Sequence, residues 1–190
     1  MRTPTWKPIS VETLALPENM ASIVATSVDV SGNALVLIAS KDGQAVVSEK
    51  ETRGLGIDPK SSSASDFAYS LLVQSAAGAE TFSLPATDVP FKYVDLFSDG
   101  GCVLVGSRSR WRSKHDFDLN GALVGRECTV AKRVCFGNGV ANVGIDAKDR
   151  IWISYFDVGV FGFDGWLSSG PTWLGAGGIN CFDRTGQLLW

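Results

Sequence analysis

The sequence has few of the side chains that enzymes commonly use for nucleophilic or metal chemistry. It contains one histidine, His115, and four widely separated cysteines, Cys102, Cys128, Cys135 and Cys181. Because no two cysteines form a CxxC pair, the usual Cys/His zinc pattern is excluded, and we interpret the cysteines as buried thiols. The HExxH and GxSxG motifs are also absent. The sequence therefore predicts no catalytic residue of the kinds that those motifs supply.

Long apolar runs are absent as well. No segment reaches the roughly 18 uninterrupted apolar residues of a membrane span, and the first residues, MRTPTWKPISVETLALP, have no apolar core behind the basic residue. A formal net charge of −3 gives no general attraction to nucleic acid or to an anionic membrane. We therefore expect a soluble, cytoplasmic protein without a membrane partner, and we do not expect nucleic acid as its main partner.

A repeated strand signal is what the sequence does contain. Hydrophobic residues make up 45% of the 190 residues and charged residues 19%, which is typical of a packed globular protein. Helical periodicity is scarce. Instead, one pattern recurs: an aspartate next to an apolar residue is followed by a polar turn and then by an apolar strand. Its copies are VDVSGNALVLIAS (28–40), VDLFSDGGCVLVGS (94–107), GIDAKDRIWISYF (144–156) and INCFDRTGQLLW (179–190).

Further strands are predicted between these repeats. They are QAVVSEK (44–50), FAYSLLVQS (67–75), AETFSLP (79–85), NGALVG (120–125) and VAKRVCFG (130–137). The last repeat predicts an outer hairpin that turns at 184–186. We expect an N-terminal extension (1–20) and a single domain (21–190) with units at about 21–85, 91–136 and 137–190. This order predicts an all-β fold, a β-propeller-like array of about three four-stranded antiparallel blades.

Three phrases carry a family resemblance. DLFSDGGCVLVGSRSRWR, GIDAKDRIWISYFDVGVFG and GINCFDRTGQLLW resemble the blade strands of bacterial NHL-like propeller-repeat proteins of the six-bladed kind, and resemble uncharacterised bacterial proteins with an SYFD-GVFG phrase. The resemblance covers about residues 21–190. It implies a propeller fold and says little about activity, because propellers host many functions.

The number of repeats predicts an incomplete or open array. Propellers typically have about four or more blades, and this sequence offers about three. An open array leaves sheet edges and an apolar wall uncovered. We therefore expect a fragment, a chain completed by another chain, or an open assembly that self-associates through its sheet edges.

The segment DFDLNGALVGRE has the spacing of a calcium loop. Its candidate ligands are Asp116, Asp118, Asn120 and Glu127, with a turn glycine at Gly121. However, Phe117 and Leu119 stand where such loops usually carry polar residues, and no entering helix is predicted. We predict no cofactor and keep calcium as an alternative.

The alternation of polar and apolar residues across 103–125 indicates a hairpin instead. A turn centred on Lys114 places Arg112 opposite Asp116, Arg110 opposite Asp118, Trp111 opposite Phe117 and Val105 opposite Leu123. Each ion pair or aromatic pair of this kind contributes about 0.2–1 kcal/mol. The hairpin therefore explains the spacing of the calcium-loop candidates without a metal ion.

The same hairpin carries a basic stripe at 108–114 that could bind a phosphate, a carboxylate or an anionic polymer. In the predicted register, aspartates neutralise Arg110 and Arg112. Arg108 stands opposite the neutral Asn120 and is the least neutralised cation. Arg108 is therefore a candidate ligand-binding residue.

The glycine-rich segment 157–178 is a second candidate binding site. Long segments without regular structure are often functional, and aromatic side chains among glycines can bind sugars, flat ligands or peptides. The candidates are Phe161, Phe163, Trp166 and Trp173. The alternative is that these aromatics pack under the sheets.

Two aspartates, Asp157 after the strand IWISYF and Asp164 in the glycine-rich segment, are the best-placed carboxylates if the protein has a catalytic function. At a propeller channel, Asp157 together with Asp146 could hold a metal or act as a base, although aspartate in turns more often caps backbone N–H groups.

These observations favour a non-catalytic binding or interaction scaffold whose ligand is a protein or a small molecule. The alternatives are a metal-dependent hydrolase of the propeller lactonase kind, and binding of an anionic polymer through the 108–114 stripe.

Overall fold

The computed structural model describes residues 20–40, 68–170 and 172–190, and in this part the chain is all-β, as predicted. The first strands are β1 (Met20–Val28), β2 (Ala34–Ser40), β3 (Tyr69–Ser75), β4 (Gly78–Ser83), β5 (Tyr93–Leu96), β6 (Cys102–Val105) and β7 (Trp111–Ser113). The later strands are β8 (Asp116–Phe117), β9 (Gly121–Val124), β10 (Val130–Val134), β11 (Val140–Ile145), β12 (Ile151–Tyr155) and β13 (Ile179–Phe182). Two short helices follow β12, α1 (Asp157–Val160) and a 3-10 helix (Trp166–Ser169).

The strands form three antiparallel sheets whose members follow one another along the chain. Sheet 1 has the order β1-β2-β3-β4, sheet 2 the order β5-β6-β9-β10, and sheet 3 the order β11-β12-β13. The hairpin β7-β8 is a separate two-stranded sheet between β6 and β9. Among the described residues the sheets do not close into a barrel or a complete propeller.

The predicted strands agree with these sheets except at the N-terminal end, and sheet 3 has three strands where four were predicted. β1 was not predicted, and it supplies the first strand of sheet 1. The predicted strand at 44–50 lies outside the described residues, as does the proposed N-terminal extension up to residue 19. The predicted hairpin at the C-terminal end is confirmed, since β13 turns at 183–187 and Phe182 bridges Leu188.

One turn geometry occurs five times within residues 20–40, 68–170 and 172–190. In each copy the first residue donates its N–H to the fifth residue's oxygen, and the fourth donates its N–H to the first residue's oxygen. The fourth residue has positive φ, between 57° and 87°, which is the usual three-residue hairpin loop with a bulge. The turns begin at Asp29, Phe97, Gly125, Asp146 and Asp183.

Aspartate stabilises three of these turns from the first position. The carboxylates of Asp29, Asp146 and Asp183 each accept the N–H groups of the third and fifth turn residues. In the sequence repeats, Asp95 occupies the position that Asp29 and Asp146 occupy in VDVSGNALVLIAS and GIDAKDRIWISYF. It lies two residues before the turn, inside β5, and Phe97 takes the equivalent position.

Two cores form between the sheets. One cluster lies between sheets 1 and 2, and includes Leu37 and Leu71 from the first and Val94 and Leu104 from the second. The other lies between sheets 2 and 3. Since sheet 2 is covered on both faces, all residues of β6 and β9 are buried and their sequences are continuous apolar runs.

The first strands of the three sheets contact one another, β1 with β5 and β5 with β11. The Ser27 hydroxyl donates to the Val94 oxygen at 2.8 Å, and the Ile145 N–H donates to the buried Asp95 carboxylate at 2.6 Å. Burial raises the pKa of Asp95. These contacts place the turns of the three sheets side by side.

The hairpin 103–125 is partly as predicted. Trp111 pairs with Phe117, and their rings stack with centroids 5.3 Å apart. The predicted pairing of Val105 with Leu123 is wrong, because Val105 pairs with Gly121. Gly106 bonds to Asn120 and Arg110 to Asp118, so residues 107–109 stand opposite a single residue on the other strand. This bulge shifts the register by two residues.

Candidate functional site

The bulge at 107–109 and the segment 156–178 meet at one end of the molecule. The Phe156 N–H donates to the Gly139 oxygen and the Trp111 N–H donates to the Asp164 oxygen, both at 2.9 Å. The Asn138 side-chain amide donates to the Asp164 carboxylate at 2.8 Å. The segment is therefore tied to the hairpin β7-β8 and to residues 138–139, which lead into β11.

Two of the predicted aromatic candidates, Trp166 and Trp173, hold this segment against the rest of the protein. Trp166 is 3% exposed, packs against Trp111 and donates its indole N–H to the Ser109 oxygen at 2.8 Å. Trp173 is partly buried and donates its indole N–H to the Gly159 oxygen at 2.9 Å. Both side chains are thus committed to contacts within the protein.

The other two candidates point into solvent. Phe161 is 64% exposed and Phe163 is 58% exposed. Leu167, which was not predicted, is 63% exposed. We call these three side chains the 161–167 surface. Leu167 could have been included from the sequence, because it is a large apolar residue in the same glycine-rich segment.

Close backbone packing explains the glycines beneath this surface. A side chain at Gly139 would collide with the backbone of Gly159 in α1, so glycine at this position lets the segment lie directly on sheet 3. Gly165, with φ 88°, precedes the 3-10 helix and would collide with the Trp111 backbone if it carried a Cβ. The sequence thus favours one tightly packed path for this segment.

Arg108 lies on the bulge beside the segment. Its guanidinium is 5.8 Å from the centre of the Phe156 ring, and its Nη1 is 3.9 Å from Asp164 Oδ2. Nη1 is buried and makes no hydrogen bond within the described part of the chain. Burial and the neighbouring Arg108 lower the pKa of Lys92, so these two cations lie close together.

Asn120, which the predicted register placed opposite Arg108, does not lie beside it. Asn120 is buried, its amide donates to the oxygens of Gly106 and Gly137, and its oxygen accepts the Phe136 N–H at 2.9 Å. Asn120 therefore closes the base of the hairpin and does not face Arg108.

The calcium-loop candidates do not converge. Arg112 pairs with Asp116 at 2.9 Å and with Asp118 at 2.6 Å, so a guanidinium lies where a cation would need to bind. Glu127 lies in the turn beyond β9, at the opposite end of that strand from Asn120. No group of three His, Cys, Asp or Glu side chains in 20–40, 68–170 and 172–190 is arranged to hold a metal.

The basic stripe is partly neutralised by these same contacts. Arg112 and Asp116 form the predicted ion pair, but the predicted register is wrong here, because Asp116 stands opposite Ser113. Asp118, predicted to face Arg110, also pairs with Arg112, while the backbone N–H of Arg110 donates to Asp118 at 2.9 Å. The hydrogen bond to Asp118 raises the pKa of Arg112.

The two catalytic candidates lie at opposite ends of sheet 3. Asp146 follows β11 and Asp157 follows β12, and these strands are antiparallel neighbours. Asp157 is exposed and accepts the Val158 N–H at 2.7 Å. The structure therefore does not bring these two carboxylates together.

Asp146 has many partners. Desolvation raises its pKa, but hydrogen bonds from the side chains of Arg150 and Trp152 and from the backbone of Lys148 and Arg150 outweigh this effect and hold the pKa well below its usual range. Its carboxylate is thus engaged within its own turn.

A cavity of about 430 Å³ lies where the first turns of the three sheets meet. Asp29, Asp146 and Asp149 line it. Asp149 accepts hydrogen bonds from the backbone and hydroxyl of Ser98, and it pairs with Arg184 at 3.2 Å. All three carboxylates hold turns together, so this cavity offers no unengaged acid.

Comparisons with protein-family models, with curated proteins and with solved structures found no match. None of the described helices is long and apolar enough to cross a membrane. The geometry of the described residues is therefore the basis for assigning a function.

Proposed function

We propose that the chain is a non-catalytic binding scaffold that recognises an apolar segment of a protein or peptide through the 161–167 surface. Phe161, Phe163 and Leu167 present large apolar side chains within seven residues of one another in sequence. Exposed groups of such side chains commonly mark interaction sites, because burying them against a partner removes apolar area from water.

One observation carries this proposal: the side chains are exposed while the segment under them is fixed. The buried Trp166 and the partly buried Trp173 each make an indole hydrogen bond to a backbone oxygen, and Asp164 bonds to Asn138 and Trp111. A surface that is already ordered loses less conformational entropy when a partner binds. Arg108 lies beside this segment and adds a cation, which favours a partner with a negative charge at that position.

We further propose that the three sheets are blades of a propeller-like array. Consecutive antiparallel sheets, first strands in mutual contact and a shared turn geometry support this arrangement. The array would be open, with about three blades, and its uncovered edges would be available for self-association.

The other two functions have less support. A metal-dependent hydrolase needs converging carboxylates, whereas Asp146 and Asp157 lie at opposite ends of sheet 3. Binding of an anionic polymer needs several unneutralised cations, whereas Arg112 pairs with two aspartates.

A peptide-display selection against the folded chain tests the scaffold proposal. A Phe161→Ser/Phe163→Ser variant serves for counter-selection, and Val130→Ser, an exposed apolar residue on β10, is the matched control. We expect apolar peptides that bind the wild type and the control equally and the double variant at least about tenfold more weakly. Peptides that bind all three proteins equally, or a selection without any binder, would overturn the proposal.

A further inference from the structure

A second cavity, of about 400 Å³, lies between sheets 1 and 2 and is separate from the 161–167 surface. Part of its wall is apolar: Leu71, Val73 and Phe82 come from sheet 1, and Leu96, Cys102 and Val124 come from sheet 2. Much of the rest of the wall is polar. Small-molecule sites in proteins typically have volumes of about 300–1,000 Å³ and combine apolar walls with placed polar groups. This cavity has the size of such a site and offers both kinds of group.

Three charged residues line the cavity, and two of them, Glu80 and Arg126, come from different sheets. Glu80 pairs with Val73 across β3 and β4, so its side chain lies on the face of sheet 1 that points toward sheet 2. Arg126 stands on the turn between β9 and β10. Neither residue forms an ion pair with another residue in the described ranges. The third charged residue, Asp99, is neutralised by Arg184.

Arg126 is the charge that suits an anionic ligand. Its side chain is exposed and lies beside Gly100, with Cγ 3.6 Å from the position that a Cβ of Gly100 would take. A guanidinium also presents a planar pair of donors that matches a carboxylate.

We propose that this cavity binds a small apolar carboxylate, with its alkyl or aryl body between the two sheets and its carboxylate on Arg126. Burial of the body against the apolar walls supplies most of the affinity. Glu80, which comes from the other sheet, repels the carboxylate and so fixes its orientation.

The chain carries its own reporter for this site. Cys128 is partly exposed, lines the same cavity and lies on the same turn as Arg126. Burial raises the pKa of Cys102 to about 12 and that of Cys135 to about 11, and burial also raises the pKa of Cys181. Iodoacetamide at neutral pH should therefore modify Cys128 first, because the thiolate is the reacting form.

The test measures octanoate binding by calorimetry and by protection of Cys128 from iodoacetamide. Acetate, which lacks the apolar body, and octylamine, which carries the opposite charge, are the ligand controls. We expect octanoate to bind and to slow the modification, and acetate to do neither. Arg126→Gln should weaken octanoate binding about tenfold or more, while Glu80→Gln should leave it equal or tighter.

Two further variants test whether octanoate binds in this cavity and not elsewhere on the protein. Val73→Trp should fill the cavity and abolish octanoate binding, and Lys148→Gln, an exposed cation outside the cavity, should change nothing. If octylamine binds more tightly than octanoate and Glu80→Gln removes its binding, the carboxylate assignment is wrong. If neither ligand binds the wild type, the cavity is not a site for charged apolar molecules.

Discussion

The indole N–H of Trp166 donates to the backbone oxygen of Ser109 at 2.8 Å, across 57 positions of sequence. This bond ties the 3-10 helix to the bulge at 107–109 and is buried. The bulge presents Arg108, and the segment around the 3-10 helix presents Phe161, Phe163 and Leu167. One buried contact thus links the two parts of the proposed binding surface.

Replacing Trp166 with phenylalanine removes this donor and leaves the Ser109 oxygen without it. We expect a loss of about 1–3 kcal/mol in unfolding free energy, because a buried unpaired acceptor retains its desolvation cost. Denaturant unfolding measures the loss. Trp173→Phe is the control: its indole bond is only partly buried, so its loss should be smaller. Equal losses for the two variants would contradict a special role for the Trp166 contact.

Replacing Asp146 with asparagine tests the charge in its turn. The folded pKa lies below the unfolded value of about 3.9, so the wild-type carboxylate adds stability above that value and loses it as the pH falls toward the folded pKa. We expect Asp146→Asn to cost about 1 kcal/mol at neutral pH, and the difference from wild type to shrink below about pH 4. Melts over a pH series measure this. A difference independent of pH would show that the charge is not what stabilises the turn.

For Asp95, the stability of the wild type should change with pH in the opposite direction. Burial raises its folded pKa, so the unfolded chain loses the proton first and wild-type stability falls as the pH rises from about 3.9 through the folded pKa. Asp95→Asn removes the charge and keeps one oxygen that can accept the Ile145 N–H, while the Leu96 N–H loses its acceptor at every pH. The variant should gain stability relative to wild type over this range, as measured by the same pH series. A relative loss over this range would show that the charged form is the better partner of Ile145.

The shared turn geometry predicts a purely conformational cost at Gly32. Its φ is 86° and a Cβ there would meet no other atom, so Gly32→Ala adds no collision. We expect a loss of about 1–2 kcal/mol from the left-handed backbone alone. Gly177→Ala, at a glycine outside that region and without close neighbours, should cost less. Thermal unfolding of both variants distinguishes the two cases.

Local patterns predicted many of the described strands, although they missed β1. Apolar runs bounded by Asp and Gly turns located β3, β4, β9, β10 and the C-terminal hairpin, because alternation and turn chemistry act over a few residues. The pairing of Trp111 with Phe117 was also correct, since it depends only on the nearby turn. The pairing of Val105 with Gly121 was not predicted, because the intervening bulge depends on contacts with Asn120 and Trp166.

The candidate site shows the same limit. Sequence composition identified the aromatic segment, but Trp166 and Phe163 are both large aromatic residues of that segment, and only the tertiary structure shows that Trp166 is buried on Ser109 while Phe163 is exposed. The cavity between sheets 1 and 2 was not predicted at all. Glu80 and Arg126 are 46 positions apart (126 − 80) and meet only when two sheets pack.

The sequence by itself determined the all-β class, the strands after each polar turn and the scarcity of catalytic side chains, because these follow from residue types and short-range spacing. The tertiary structure decided which carboxylates are engaged, which aromatics are exposed and where cavities form. These properties arise from contacts between residues far apart in the chain, as between Trp166 and Ser109 or Asp95 and Ile145, and no local pattern encodes them.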